Sequence, residues 1–313
     1  MSEKVALVGS GLIGQAWAIV FARAGREVRL YDSKPGAVET AIERIGARLR
    51  DLERMELIDS AESVLRRVAK VRSLEAALEA ASYVQESVPE DSALKHQVFA
   101  ALDRLAPATT ILASSSSGIP GSRFLDLPGR HRCLVAHPAN PPYLLPLVEL
   151  VPTPWTAEET VKRAWDVMVA VGQVPIRLKA EIEGFVMNRL QIAVINEAMS
   201  LVARGIADPE DIDKMMANSL GLRWSFMGPF ETMDLNAPKG FLDYATRYAN
   251  TFREVGADLK VTERWTEAAI KTVEAARRRI LPAERVLERH GWRDRRLMAL
   301  ARHKAQAAKD IGP

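Results

Sequence analysis

Gly9-Ser10-Gly11-Leu12-Ile13-Gly14 is the segment that most restricts how this chain can fold. It directly follows the apolar run Val5-Ala6-Leu7-Val8 and opens a helix-like stretch, Leu12 to Ala24, so the G-x-G-x-x-G spacing falls between a strand and a helix. Gly9 permits the tight turn, Gly11 lets the backbone approach a pyrophosphate, and Gly14 lets the helix pack closely on the strand. Phosphates held there meet the free amides and the positive end of the helix dipole. Gly9, Gly11, Leu12, Ile13 and Gly14 are therefore the candidate cofactor contacts of the turn. Asp32 stands at the end of the next strand-like run, Glu27 to Tyr31, 18 residues beyond Gly14. A carboxylate there accepts hydrogen bonds from the adenosine ribose hydroxyls and repels a 2′-phosphate, which selects NAD over NADP. The nearby base Lys34 pulls the other way.

The first half of the chain goes on alternating the two kinds of segment. Strand-like runs at Tyr83–Val88, Thr110–Ala113, Cys133–Ala136, Leu147–Val151 and Val174–Leu178 interleave with helical runs at Leu94–Leu105 and Thr156–Val171. A charged helical stretch from about Pro35 to Ala69 breaks into two near Met55–Ser60. This alternation predicts an α/β fold: an N-terminal Rossmann-type, doubly wound, mostly parallel sheet covered on both faces. After Lys179 the pattern changes to helices alone. Phe185 to Arg204 reads as a long amphipathic helix ended by Gly205, and Asp208-Pro209 sets an N-cap residue before a proline at the first helical position. Helical periodicity continues through Phe241–Val255, Thr262–Ile280 and the tail from Arg293. The expected division is a Rossmann domain over 1–183 and an all-helical C-terminal domain over 184–313.

A chain of 313 residues has room for two such domains and buries enough surface to need no disulfide staples. It could form no intrachain disulfide in any case, because Cys133 is its single cysteine; in its apolar setting Cys133 reads as a small buried hydrophobe. The 43 basic and 40 acidic residues leave a net charge of +3, too balanced for a nucleic-acid partner. The basic runs Arg277–Arg279 and Arg293–Arg296 have acidic neighbours and read as solvated faces. No apolar run approaches the ~20 residues a membrane span needs, and strand-like sequence begins by Lys4 without a leader pattern. A cytoplasmic location and no membrane partner are expected. No metal-ligand set is assigned.

Two polar clusters interrupt the apolar pattern. Ala113-Ser114-Ser115-Ser116-Ser117-Gly118 ends one strand. His137-Pro138-Ala139-Asn140-Pro141-Pro142-Tyr143 ends another, and Glu149 sits inside the apolar strand that follows. An unpartnered carboxylate in an apolar strand is costly, so a partner is expected, and His137 is the obvious one. From spacing alone, a catalytic pair and a loop-capping histidine beside a rim glutamate are comparable readings.

Taken over its whole length, the chain resembles the 3-hydroxyacyl-CoA dehydrogenase superfamily, and within it the lambda-crystallin type, which includes L-gulonate 3-dehydrogenase. The resemblance is carried by the Gly9–Gly14 turn, Glu86-Ser-Val-Pro-Glu90-Asp with Lys95 after it, and the serine run ending in Ser117. It continues through His137-Pro-Ala-Asn-Pro-Pro-Tyr, Leu147-Val-Glu149, Gly184-Phe-Val-Met-Asn188-Arg-Leu and Gly221-Leu-Arg223-Trp-Ser-Phe-Met-Gly-Pro. It implies that His137 is the general base for the substrate's 3-hydroxyl and that Glu149 orients the ring and stabilises its positive charge. It further implies that Ser117 and Asn188 hydrogen-bond the reacting oxygen or its neighbouring carbonyl, and that Glu90 and Lys95 touch the nicotinamide half of the cofactor, with Ser117 close by. Read without the resemblance, Ser117 is turn chemistry, Asn188 a helix-surface amide, Glu90 a helix-start acid and Lys95 a surface lysine.

The sequence departs from the acyl-CoA branch of that superfamily in its serine pair Ser115-Ser116, in the Pro-Ala-Asn-Pro-Pro-Tyr loop and in Arg223-Trp224. A guanidinium pairs with a carboxylate through two parallel bonds, so Arg223 is the candidate for a substrate's free carboxylate, the alternative being a surface arginine in an ion pair. The expected activity is NAD-dependent oxidation of a small 3-hydroxy acid of the L-gulonate kind. The alternatives are a short-chain L-3-hydroxyacyl-CoA dehydrogenase, with Arg48, Arg50, Arg66 or Arg67 on a CoA phosphate, an L-carnitine dehydrogenase, and a non-catalytic, crystallin-like structural protein. The resemblance also implies a homodimer formed through the helical domain.

Overall fold

The computed structural model describes residues 4–259 and 265–312. Strand β1 (Lys4–Val8) feeds helix α1 (Leu12–Arg23), and β2 (Glu27–Tyr31) feeds α2 (Ala37–Arg54) and the short α3 (Ala61–Leu65). Then come β3 (Val68–Lys70), α4 (Leu74–Leu78), β4 (Ala81–Glu86), α5 (Ser92–Leu105) and β5 (Ile111–Ser114). Next in the chain are β6 (Cys133–Pro138), β7 (Leu147–Pro152), α6 (Glu158–Ala170) and β8 (Val174–Arg177). They form one sheet of order β3-β2-β1-β4-β5-β6-β7-β8 in which only the β6–β7 pairing is antiparallel. The order reverses between β1 and β4, the switch point at whose carboxyl ends doubly wound sheets bind ligands.

Both faces of this sheet are buried, and β1 shows how. Val5 and Leu7 join an apolar cluster with Trp17 and Phe21 of α1 and Ile45 and Leu49 of α2. Ala6 and Val8 join a second cluster with Phe99 and Leu102 of α5. The alternation is the two-residue period of a strand, and apolar residues on both sides are what a helix-covered parallel sheet requires. Cys133 lies fully buried in the second cluster, where burial pushes its thiol up to about 12. It is a packing residue.

Helix α7 (Met187–Ala203) leads out of the sheet, followed by α8 (Pro209–Asn218), α9 (Leu220–Arg223), α10 (Pro229–Leu235), α11 (Gly240–Asp258), α12 (Glu267–Ile280) and α13 (Val286–Ile311). The sheet with following helices matches the expected fold class. The expected start of one helix at Thr262 lies outside the described residues. The long charged stretch does break where expected, between α2 and α3, but its end is not helical: β3 pairs with β2 in parallel, Val68 beside Val28. A three-residue strand carries too little period to read from sequence.

The chain divides into two compact units: 1–189 together with 290–313, and 190–289. This departs from the expected boundary at 183/184, chiefly because the tail belongs to the first unit. Met298 of α13 is only 2% exposed in the cluster of α1 and α2, Leu297 packs against the same cluster, and Arg302 pairs with Glu56 at 2.7 Å. The second unit is rich in exposed apolar side chains, among them Phe226, Phe230, Leu235 and Leu242, the last 77% exposed. Its basic run is paired: Arg277 with Asp213, Arg278 with Glu274 and Arg279 with Glu210.

Candidate active site

The turn after β1 has no room for side chains where two of its glycines sit. Gly9 has φ +101°, and a Cβ there would lie 2.6 Å from the Ser87 carbonyl oxygen. A Cβ on Gly14 would lie 1.9 Å from the carbonyl oxygen of Gly9, whereas one on Gly11 would project into open space. Gly9 and Gly14 are thus needed for the turn itself, and Gly11 leaves the concavity clear for a diphosphate. Asp32 closes this cradle. Its Oδ2 accepts from the Ser10 amide and hydroxyl, each at 2.8 Å, and its Oδ1 from the Lys34 amide at 2.9 Å. Burial alone would raise its carboxyl, but these bonds and the Lys34 charge outweigh it and hold Asp32 below the usual carboxylate range. Asp32 is an anion that keeps lone pairs for ribose hydroxyls. The residues present fit NAD. Replacing Asp32 with serine removes that anion, and the ratio of kcat/KM for NADP over NAD is expected to rise about 10- to 100-fold, the worth of a charge-assisted bond. Steady-state kinetics with both cofactors check this; an unchanged ratio would remove Asp32 from cofactor selection.

His137 and Glu149 face each other as direct partners in the antiparallel β6–β7 ladder. Directly opposed residues share one face of the sheet, and the His137 Nδ1 meets Glu149 Oε2 at 2.7 Å. The pair is deeply placed, His137 4% exposed and Glu149 0%. The other oxygen, Glu149 Oε1, accepts from the amides of Val186 and Met187, both at 2.9 Å, where α7 begins. Those amides would otherwise be unpartnered at the helix start, and the helix dipole favours an anion there. Burial works to raise the Glu149 carboxyl, but the bonds from His137, Met187 and Val186 overcome it and hold it low. Glu149 is thus an anion clamped by a helix, with an imidazole on its outer oxygen. His137 Nε2 has no hydrogen-bond partner among the described residues.

The segment Gly184–Asn188 ties this pair to the serine loop. Gly184 and Phe185 take left-handed conformations, φ +73° and +52°, costly for a phenylalanine. The Gly184 amide donates to the Gly118 carbonyl at 3.1 Å, and the Phe185 ring packs 5.5 Å from that of His137. Asn188 Nδ2 donates to the Ser117 carbonyl. Ser117 and Asn188 are therefore neighbours, and the Ser117 side chain is exposed.

Glu90 shapes the serine loop from the other side. Its Oε1 accepts from Ser116 Oγ at 2.5 Å, the Ser117 amide at 2.9 Å and the Gly118 amide at 3.3 Å. It is loop-capping chemistry as well as a candidate cofactor contact. Lys95 is no surface lysine: it is 1% exposed, with its ammonium 3.0 and 3.2 Å from the two oxygens of Glu86 and 3.5 Å from Glu90. Its donors are largely committed inside the protein, so its expected contact with the cofactor is at best through Glu90. Sequence reasoning missed Glu86 as a site residue. Fully buried at the end of β4, it also accepts from Ser114 Oγ at 2.6 Å and from the Val88 amide at 2.5 Å. Burial pushes its carboxyl up against those contacts and the Lys95 charge. The available signal was the one that exposed Glu149, an acid within a strand of mostly apolar residues.

Arg223 ends α9 in the second unit, half-buried, and its guanidinium has no ion-pair partner among the described residues. The surface ion pair that offered the alternative reading is absent from those residues.

Residues 4–182 match the family model for the 3-hydroxyacyl-CoA dehydrogenase NAD binding domain, and residues 184–278 match the model for the 3-hydroxyacyl-CoA dehydrogenase C-terminal domain. The chain is 41% identical to lambda-crystallin of Oryctolagus cuniculus over 308 residues, 96% of each chain. It is 42% identical to an L-carnitine dehydrogenase of Oceanobacillus iheyensis over 234 residues, 74% of this chain and 76% of that one. Among solved structures, it is similar to 5-formyl-3-hydroxy-2-methylpyridine 4-carboxylic acid 5-dehydrogenase, an NAD+-dependent dismutase. The TM-score is 0.83 and the identity 28%, covering 96% of this chain and 98% of that one.

Proposed function

Because the chain belongs to the 3-hydroxyacyl-CoA dehydrogenase family, with an NAD binding domain at its N-terminus, we propose that it oxidises the 3-hydroxyl of a small free 3-hydroxy acid, L-gulonate-like, to the 3-keto acid. The observation that carries this reading is the 2.7 Å bond from His137 to a Glu149 that is itself held by two helix amides. NAD supplies the hydride acceptor when bound. His137 Nε2 takes the hydroxyl proton as the C3–H bond breaks and the C3=O double bond forms. Glu149, fixed as an anion, keeps the Nδ1 proton in place and stabilises the imidazolium. Ser117 Oγ and Asn188 donate hydrogen bonds to the reacting oxygen or its neighbouring carbonyl, and Glu90 and Lys95 support the loop beside the cofactor. In reverse the imidazolium returns the proton.

Arg223 supplies the fork for the acid's carboxylate. Its replacement by alanine is expected to lower kcat/KM on a free hydroxy acid by about 2 kcal/mol or more, roughly thirtyfold. Kinetics on that acid read the effect, and an unchanged kcat/KM would remove Arg223 from the site. The substrate itself is tested by NADH absorbance at 340 nm with L-gulonate, L-3-hydroxybutyrate, its CoA thioester and L-carnitine. The free polyhydroxy acid is expected to be turned over best. L-carnitine is the strongest competitor, given the 42% identity to an L-carnitine dehydrogenase. Silence across the panel would favour a crystallin-like structural role.

The partner we infer besides substrate is a second copy of the chain, through the helical unit, whose exposed Phe230 and Leu242 are costly in water. Sedimentation analysis is expected to give the mass of a dimer, and a monomer at micromolar concentration would overturn that inference.

A further inference from the structure

Helix α13 lies beyond residue 278, where the match to the family's C-terminal domain ends. Its residues from 290 onward belong to the α/β unit. They are anchored there at three places: Met298 in the core, Arg302 on Glu56 just past α2, and Asp294 on the loop that follows His137. In the last of these, Tyr143 Oη donates to Asp294 Oδ2 at 3.3 Å while Arg293 holds Asp294 Oδ1 at 2.7 Å. With His290 and Arg293, α13 closes a small cavity whose other walls include Leu12, Arg48 and Asn140. Leu12 belongs to the cofactor turn and Asn140 to the loop that begins at His137. The tail thus borders both the cofactor turn and the catalytic loop.

What stands at this place matters for the size of the substrate. A free hydroxy acid ends at its carboxylate, whereas a CoA thioester continues into a pantetheine arm and a phosphorylated nucleotide that needs accessible cations. Of the four arginines of the α2–α3 region that could serve it, Arg50 is exposed on α2 and the other three are engaged. Arg48 donates to Gln15 Oε1 at 2.8 Å beside the cavity that α13 closes. Arg66 pairs with Glu62, and Arg67 donates to the carbonyls of Ala22 and Ser63.

We propose that α13 is a specificity element: it borders the start of α1, Arg48 of α2 and the loop after His137 beside the cofactor turn, and so admits the free hydroxy acid while excluding the CoA thioester of the same acid. This rests on the dehydrogenase reading above and deepens it. The test compares the full-length parent with a His290→Ala/Arg293→Ala double variant, which removes two side chains from the cavity wall and leaves the Tyr143–Asp294 bond in place. Turnover is measured with 3-hydroxybutyrate and its CoA thioester, binding of free CoA by calorimetry, and folding by thermal melting. The parent is expected to prefer the free acid and show no CoA binding. In the double variant the thioester-to-acid ratio of kcat/KM is expected to rise about tenfold or more, with CoA binding becoming measurable. If the double variant melts early, Arg302→Glu, an exposed change that sets a carboxylate against Glu56, is read for CoA binding instead. An unchanged ratio with retained free-acid turnover, no CoA binding by any variant, or a parent that already prefers the thioester would each overturn the proposal. A parent silent on both substrates and also on L-gulonate and L-carnitine would defeat the dehydrogenase reading, while the calorimetric arm would still decide whether α13 shuts out CoA.

Discussion

Replacing His137 with asparagine is expected to lower kcat by roughly 10²- to 10⁴-fold, the usual worth of a positioned general base, while NADH affinity stays unchanged. Asparagine is the informative choice because its amide nitrogen stands where Nδ1 does and can still donate to Glu149 Oε2. The buried carboxylate then keeps its partner, whereas an alanine would leave Glu149 a charge without its imidazole, 0% exposed. Loss of activity in the asparagine variant therefore reports the missing base. The turn that builds the cofactor cradle, Gly9 to Gly14 with Asp32, makes no hydrogen bond to His137, so cofactor binding should be untouched. NADH fluorescence titration and steady-state rates separate the two effects. A kcat within a factor of a few of the parent's would mean that another group takes the proton.

The second large effect is expected from Glu149→Gln, and its logic is tautomeric. Glu149 Oε1 accepts from the amides of Val186 and Met187, so the glutamine must keep its oxygen there and turn its NH2 toward His137 Nδ1. The ring then has to accept at Nδ1 and carry its proton on Nε2, which leaves no lone pair for the substrate hydroxyl. A loss in kcat of about 10⁴-fold accompanies a wrong tautomer in the serine-protease triad, and a loss of roughly 10²- to 10⁴-fold is expected here, with the fold retained. The same change should alter acid stability. Glu149 is held below the usual carboxylate range by His137, Met187 and Val186 against the opposing effect of burial. A depressed carboxylate contributes stability that is complete above its unfolded-state value and is lost as pH falls through its folded-state value. The glutamine variant, having nothing to protonate at that position, should lose less stability than the parent between neutral pH and the acid range. Thermal melts across pH read this, and parallel curves for the two proteins would show that the pair carries no such linkage.

Much of this was legible in the sequence because the signals were local. The Gly9–Gly14 turn is readable since two of its Cβ positions are sterically forbidden and the third must stay open. Gly25, Gly172 and Gly205 mark helix ends because each adopts a positive φ that other residues avoid. His137 and Glu149 could be paired by a cost argument, an acid in an apolar strand needing a partner, although sequence could not show that they are opposed across a ladder. What stayed hidden depends on contacts between distant segments. The Glu86–Lys95 pair is nine residues apart, yet nothing in a charged helix start announces that a lysine will be buried. The strained Gly184–Phe185 step, which joins the serine loop to the His137–Glu149 pair, is visible only as a short motif until its backbone bonds are seen. The tail's return to the α/β unit depends on a few apolar residues, Leu297 and Met298, in an otherwise polar helix.

The most direct test of the account is the fate of the hydrogen on the substrate's C3. With the free 3-hydroxy acid deuterated at C3 and NAD+ in excess, the NADH formed should carry deuterium at C4 of the nicotinamide, in amount equal to the keto acid produced. NADH that forms without deuterium, or a keto acid that forms without NADH, would contradict a mechanism in which the hydroxyl proton passes to His137 while the C3 hydrogen leaves as hydride.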